Sequence, residues 1–390
     1  MLSFFGRSTK GKPVVIADVE GSSAAVAVAL LHGDKQVEIL VSERQAIPNS
    51  GSDPSTVSAS IPTVLKEVSE RVLKKYTEQD GIKKYGAPKA VHATLGSPWA
   101  HARTARAETS FPEARSISKQ AIQALAQEAI KQPSDLQQPI LETNVMRVHI
   151  NGYPTAKPVG KKGKELAATI FQSDAAQQPK QAIESALSAQ FPGRAIDVRS
   201  GVRALMSVIN ERAHEHNYFV LLVGSESTEC IAIRKEAIAE HATVPEGMNT
   251  IIRRIAGEKG LPEEKTTLLR MLASDTCSAE ECEVLKQGLA KAEPDLTKLF
   301  GDVFGKLAAL RRLPNTCILF AHADLSPWLE HFFNRLDFSQ FTVTTQPFVV
   351  QPVTQEHMQS FVSWQAGVRQ DTGIGIAAAF ASLGMKGDDS

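Results

Sequence analysis

The sequence predicts an α/β fold of two lobes, with a small α+β module inserted in the first. Three observations carry this. The chain opens on a meander of three β-like runs leading into a helix and another strand. The same order returns from Asn217. The stretch between, from about Trp99 to Pro192, has a different rhythm. With 390 residues the chain is also long for one core, since single cores stop growing near ~250–300 residues. The expected boundaries are 1–97 and 194–216 for the first lobe, 98–193 for the module, 217–350 for the second lobe with a helical subdomain at 246–313, and 351–390 for a C-terminal strand, helix and tail.

The runs VVIADV, AAVAVALL and QVEILVSE are apolar and separated by Gly21 and by HGDK, both turn signals. Over 57–76, Ile61, Val64, Leu65, Val68, Val72 and Leu73 recur at three-to-four spacing, which predicts an amphipathic helix. KAVHATLGS then reads as a strand parallel to the first, because a helix separates the two. The module shows a helix at 118–131, strands at 145–150 and 166–171, and a helix at 179–190. AIDV and a helix near 202–213 return to the first lobe. In the second lobe, NYFVLLVGSESTECIAIRKEAIAEHA gives strand, Gly/Ser/Thr turn, strand and a third strand after Lys235. Residues 246–312 are helical with Pro262 and Pro294 as breaks, CILF opens a strand–loop–helix, FTVTTQPF closes with a strand, and an Ala/Gly-rich helix precedes GDDS.

Composition excludes some partners. Lysine and arginine total 43, as do aspartate and glutamate, so no global field favours nucleic acid or an anionic surface, and any such contact is local. Cys230, Cys277, Cys282 and Cys317 are scattered and no cleavable signal is visible, which reads as reduced thiols in a cytoplasmic protein. No run reaches the ~18–20 apolar residues of a membrane span. The opening MLSFFGRSTKGK sets Leu2, Phe4 and Phe5 beside Arg7, Lys10 and Lys12, and reads as a frayed terminus rather than an interfacial tip.

The residues that bear on function are the polar turns. IADVEGSSAAVAVA breaks at Glu20-Gly21-Ser22-Ser23, either as a phosphate-holding hairpin or as a plain turn, and LLVGSESTECIAI echoes it in the second lobe. With MRVHINGYPTAKPVGKKGKEL and CILFAHADLSPWLEHFF in the same order, these segments resemble the actin-like ATPase superfamily, whose core is ribonuclease H-like. Within it they resemble the family of the type IV pilus assembly protein PilM and the cell-division protein FtsA, in which an extra module lies inside the first lobe.

The resemblance implies an ATP site with Mg²⁺, in which two hairpin turns offer N–H groups and hydroxyls to the phosphates and an aspartate before the first turn holds the metal. Carried over to this sequence, that site is Asp18, Gly21, Ser22 and Ser23 in the first turn and Gly224, Ser225 and Thr228 in the second. The motifs depart from the family pattern. Glu20 stands where the first glycine is expected, Ala25 where a lysine often follows, and Leu222 at the second aspartate. Ala321-His322-Ala323-Asp324 replaces the late glycine pair. A carboxylate at position 20 would repel a triphosphate.

The expectation is therefore a non-catalytic scaffold at the cytoplasmic face of the membrane, serving pilus- or secretion-type assembly or cell division. Its implied partner is a cytoplasmic peptide of a membrane assembly protein or a division protein, with self-association as a further role of the module. The alternative is an ATP-binding, weakly hydrolysing ATPase whose nucleotide state gates assembly.

Other motifs read as structure. GRSTKGKP imitates a phosphate loop, yet Pro13 replaces the metal-binding hydroxyl residue. SISK at 116–119 lacks the partner motifs of penicillin-binding enzymes and fits a helix N-cap at Ser116 or Ser118. Cys277 and Cys282 have the wrong spacing for a zinc knuckle, and Ser278 with Glu281 forms a capping box. His214 and His216 suit a helix C-terminus, and His322 has no placed partner for catalysis. Lys157, Lys161, Lys162 and Lys164 form a basic loop, with Lys161 and Lys162 as candidate partner contacts. Trp99 at the module's edge is a better interface candidate than Trp328.

Overall fold

The computed structural model describes residues 11–21, 23–33, 36–48, 54–134, 136–211, 216–224, 226–235, 237–256, 262–273, 276, 278–322 and 324–388. The readings that concern the N-terminal tip, Ser22, His214, Ser225, Cys277 and Ala323 lie outside them. The chain divides into two compact units, one of residues 1–99, 177–212 and 353–390, the other of 100–176 and 213–352.

The first unit is built on a six-stranded sheet in the order Val362–Trp364, Val37–Ala46, Ser23–Leu31, Lys12–Glu20, Ala90–Leu95, Ala195–Ser200. The opening three strands pair antiparallel as the expected meander, and Ala90–Leu95 lies parallel to the first, with Val15 opposite Val91. Val14–Val19 and Ser23–Leu31 are buried along their whole length. Such continuous burial requires cover on both faces. It comes from the helices Pro54–Glu78, Gln177–Gln190, Gly201–Asn210 and Thr372–Asp388. The helix Gln177–Gln190, which the sequence reading assigns to the module, belongs to this unit because Ile183 and Leu187 are buried on the side that packs against Pro54–Glu78.

The second unit carries a five-stranded sheet in the order Ala237–Val244, Thr228–Arg234, Asn217–Val223, Thr316–Phe320, Val349–Pro352. Its strand order and directions repeat the first sheet from the meander's third strand onward, so the internal duplication is present in topology as well as in sequence order. Phenylalanines fill its core, with Phe219, Phe304, Phe338 and Phe348 in edge-on and stacked contact.

Three expectations need correction here. Pro294 does not break the helices: it lies inside the single helix Ala279–Leu310. The ~3 kcal/mol cost of an interior proline is offset by burial of Leu289, Ala292, Leu296 and Phe300 around it. FTVTTQPF is not a strand. Ser339–Phe341 is a short 3-10 turn, Thr342 makes an isolated bridge to Leu313, and the edge strand follows at Val349–Pro352. Cys230 and Cys317 are free and buried, but Cys282 is disulfide-bonded, so the thiols are not uniformly reduced.

The module's antiparallel sheet runs Ala100–Ser116, Lys162–Ala175, Ile140–Ile150, Tyr153–Pro154. One face packs on the helix Lys119–Ile130 through Ile122, Leu125, Val148, Leu166 and Ile170. Ser118 is that helix's N-cap, its hydroxyl accepting from the Ala121 N–H at 3.1 Å. The module is inserted in sequence between Ala90–Leu95 and Ala195–Ser200, which are neighbours in the first sheet, yet it packs with the second unit.

Candidate functional site

The first turn closes the hairpin Lys12–Glu20/Ser23–Leu31. Asp18 sits two residues before its end and is only 6% exposed. Both of its carboxylate oxygens have partners: Thr94 Oγ1 donates to Oδ1 at 2.7 Å and Arg44 Nη2 to Oδ2 at 2.7 Å. Arg44, reaching over from the third strand, also donates to Ser23 Oγ at 2.8 Å. It forks onto Asp371, with Nε to Oδ2 at 2.5 Å and Nη2 to Oδ1 at 2.9 Å. Asp371 is the N-cap of the helix Thr372–Asp388, accepting from the Ile374 N–H at 3.0 Å. Burial opposes charge on Arg44, but Asp371, Asp18 and Glu20 outweigh it and hold the guanidinium well above its ordinary range.

The backbone of this turn is likewise committed. The Gly21 N–H donates to Ser97 O at 3.0 Å, and a Cβ on Gly21 would lie 2.8 Å from Pro98 Cδ. A Cβ on Gly373 would lie 2.2 Å from Asp18 Oδ2, so the backbone of the C-terminal helix closes directly against the carboxylate.

The second turn is closed by different means. The Gly224 N–H donates to Ser227 O at 2.9 Å, and Gly224 O accepts from the Met248 N–H at 2.8 Å. Thr228 is fully buried and its hydroxyl donates to Glu246 O at 2.6 Å. Glu246 in turn accepts from Arg254 Nε at 2.8 Å, and Glu226 at the turn's tip accepts from Arg253 Nη2 at 2.5 Å.

After the strand Thr316–Phe320, side chains stand where a glycine pair was expected. Asp324 accepts from Arg270 Nη2 at 3.0 Å, and His322 Nδ1 accepts from the Asp324 N–H at 3.2 Å. Its hydrogen bond to Asp324 is the first cause holding the Arg270 guanidinium above its ordinary range.

The residues expected from sequence thus fall into separate groups. Asp18, Gly21 and Ser23 come together in the first unit; Gly224 and Thr228 come together in the second. Trp99 is 3% exposed, so its ring is interior and offers nothing to a partner, and its Nε1 has no hydrogen-bond acceptor among the described residues. Lys161 and Lys162 are exposed. Sequence reasoning missed Arg44, Thr94, Asp371 and Glu246. Only Asp371 carried a local signal, since Asp-Thr-Gly before an apolar run is a helix start.

As arranged, these donors do not fit a magnesium-bound phosphate. A divalent cation at Asp18 would meet the guanidinium of Arg44 at hydrogen-bonding range, and like charges repel strongly where water is scarce. The Gly21 and Gly224 N–H groups already have acceptors. Among the described residues no group of three or more His, Cys, Asp or Glu side chains is placed to hold a metal ion.

No family model matches the chain, and no curated protein matches it. Among solved structures it is similar to the PilM-PilN type IV pilus biogenesis complex, at 13% identity with a TM-score of 0.56, covering 96% of this chain and 98% of that one. The chain has the actin-like fold. Agreement over nearly the full length of both chains reaches both sheets and the inserted module, and at that identity it concerns the fold alone. The ethanolamine utilization protein EutJ from Carboxydothermus hydrogenoformans is also similar, at 11% identity and a TM-score of 0.46, over 94% of this chain and 89% of that one.

Proposed function

We propose that this protein is a non-catalytic actin-fold scaffold that docks at a membrane assembly through a partner's cytoplasmic segment, in the manner of pilus- or secretion-type machinery. The observation that carries the reading is the Asp18–Arg44–Asp371 network. It supplies the first turn with an internal cation, which supports a reading in which the aspartate holds the fold rather than a nucleotide's metal. The similar fold of PilM, solved in a complex with PilN, supports a protein partner from the same class of assembly. No described helix is long and apolar enough to cross a membrane.

Isothermal titration of the purified chain with ATP and Mg²⁺ tests this. The scaffold reading expects no saturable heat and no phosphate release. Micromolar, magnesium-dependent binding with steady turnover would sink it and install the nucleotide-gated alternative, with Asp18, Ser22, Ser23, Gly224, Ser225 and Thr228 around the phosphates.

A further inference from the structure

At one end of the module's sheet the chain makes an ordered protrusion whose apolar side chains point away from any core. Asn151 and Gly152 both have positive φ, 51° and 81°, the geometry of a tight hairpin turn. Asn151 Oδ1 accepts from the Lys164 and Glu165 N–H groups at 2.8 and 3.0 Å, and the Thr155 N–H donates to Val148 O at 2.8 Å. Farther on, the Gly160 N–H donates to Ile117 O at 2.8 Å, and the Ile117 N–H to Lys161 O at 2.8 Å. The backbone is therefore tied down at both ends, yet Tyr153 is 75% exposed and Val159 is 60% exposed. Around them stand Lys157, Lys161, Lys162 and Lys164, all exposed, and Arg115, opposite Gly163 on the neighbouring strand. Residues 151–165 hold four lysines against the single carboxylate Glu165, a local charge of +3 in a chain whose net charge is zero.

We propose that this hairpin is a direct contact with an anionic bilayer. Tyr153 and Val159 stand too exposed to line a groove, the setting in which a peptide helix or Pro-rich segment is held. A tyrosine and a valine standing among lysines match the headgroup region, where the ring settles at the interface and the ammonium groups meet lipid phosphates. The tip acts without the partner segment of the scaffold reading, so either idea can fail while the other stands.

The test is sedimentation of the full chain with vesicles of phosphatidylcholine alone and with roughly a third phosphatidylglycerol, at low and high salt. The expected result is binding to the anionic vesicles only, lost at high salt. The double variant K161Q/K162Q should lower the partition coefficient about 30-fold, at roughly fivefold per surface cation. Tyr153→Ser should lower it severalfold at unchanged charge, and both variants should keep the wild-type circular dichroism. Equal binding to both vesicle types, no binding at low salt, or binding that K161Q/K162Q leaves unchanged overturns the proposal, including the case in which the hairpin proves to capture an acidic protein instead.

Discussion

The two hairpin turns are the same piece of topology closed in two ways. The first is held by formal charges drawn from distant parts of the chain, with Arg44 linking Asp18 to Asp371, 327 residues from Arg44 in sequence. The second is held by nearer partners: Gly224, Thr228, Glu246 and Met248 all lie in the continuous stretch 224–248, which runs through the strands Thr228–Arg234 and Ala237–Val244 to the start of the helix Met248–Ala256, and the central bond joins a neutral hydroxyl to a carbonyl. The contrast teaches that a polar turn between two buried strands must satisfy its donors somewhere, and that neutral local bonds or long-range ion pairs both serve.

The comparison can be broken at its strongest point first. Arg44→Met should leave Asp18 and Asp371 facing each other without a cation and cost about 3 kcal/mol in urea denaturation, the low end of the range for removing one partner of a buried pair, because the Arg44 side chain is 27% exposed. A loss below about 1 kcal/mol would mean that the network is a surface feature in solution. Next, Thr228→Val keeps the volume but strands the buried Glu246 carbonyl, for a loss of about 1–3 kcal/mol. Its signature is local. Burial, reinforced at Cys230 by Glu229 and by Cys317, pushes the Cys230 and Cys317 thiols up, so both resist alkylation in the native state. Thr228→Val should speed their modification, read by peptide mass spectrometry, whereas Arg44→Met in the other unit should leave it slow. Equal acceleration by both variants would mean that the units open together. The smallest effect is expected from Arg253→Gln, whose partner Glu226 lies at the turn's tip. With Arg253 47% exposed, the change should fall below about 1 kcal/mol and vanish at high salt.

Much of the fold was legible because hydrophobic spacing is a local property. The runs VVIADV and AAVAVALL and the three-to-four pattern around Val64 and Val68 correspond to Lys12–Glu20, Ser23–Leu31 and Pro54–Glu78. The strand Ala100–Ser116 was missed for a physical reason: its inward positions are Ala102, Ala105 and Ala107, and alanine neither favours strands nor marks a period against the intervening charges. Its outward charges then concealed the longest strand pairing among the described residues, Ala100–Ser116 with Lys162–Ala175. Trp99 misled in the opposite direction, because a large aromatic at a module's edge reads alike whether it lies in a core or on a surface.

At the candidate site, Asp18 and Thr228 stood out as polar residues and Gly21 as a turn glycine between buried strands, and Glu20, Leu222 and His322 stood out as departures from the pattern the resemblance implies. What replaced the expected ligands was not visible. Nothing in VEILVSERQA marks Arg44 as the cation that faces Asp18, since a charged residue near the end of a strand has solvent as its default partner.

The sequence by itself determined the doubled meander-and-helix order and the polar turns at the same point of each repeat. Those features follow from the alternation and spacing of neighbouring residues, which act over a few positions. Only the tertiary structure decided where the turns' hydrogen bonds go, that the module packs with the second unit, and that Tyr153 and its lysines stand together at one exposed end. These are choices of partner between residues far apart in the chain, and a buried charge or an orphan N–H takes whichever partner packing delivers.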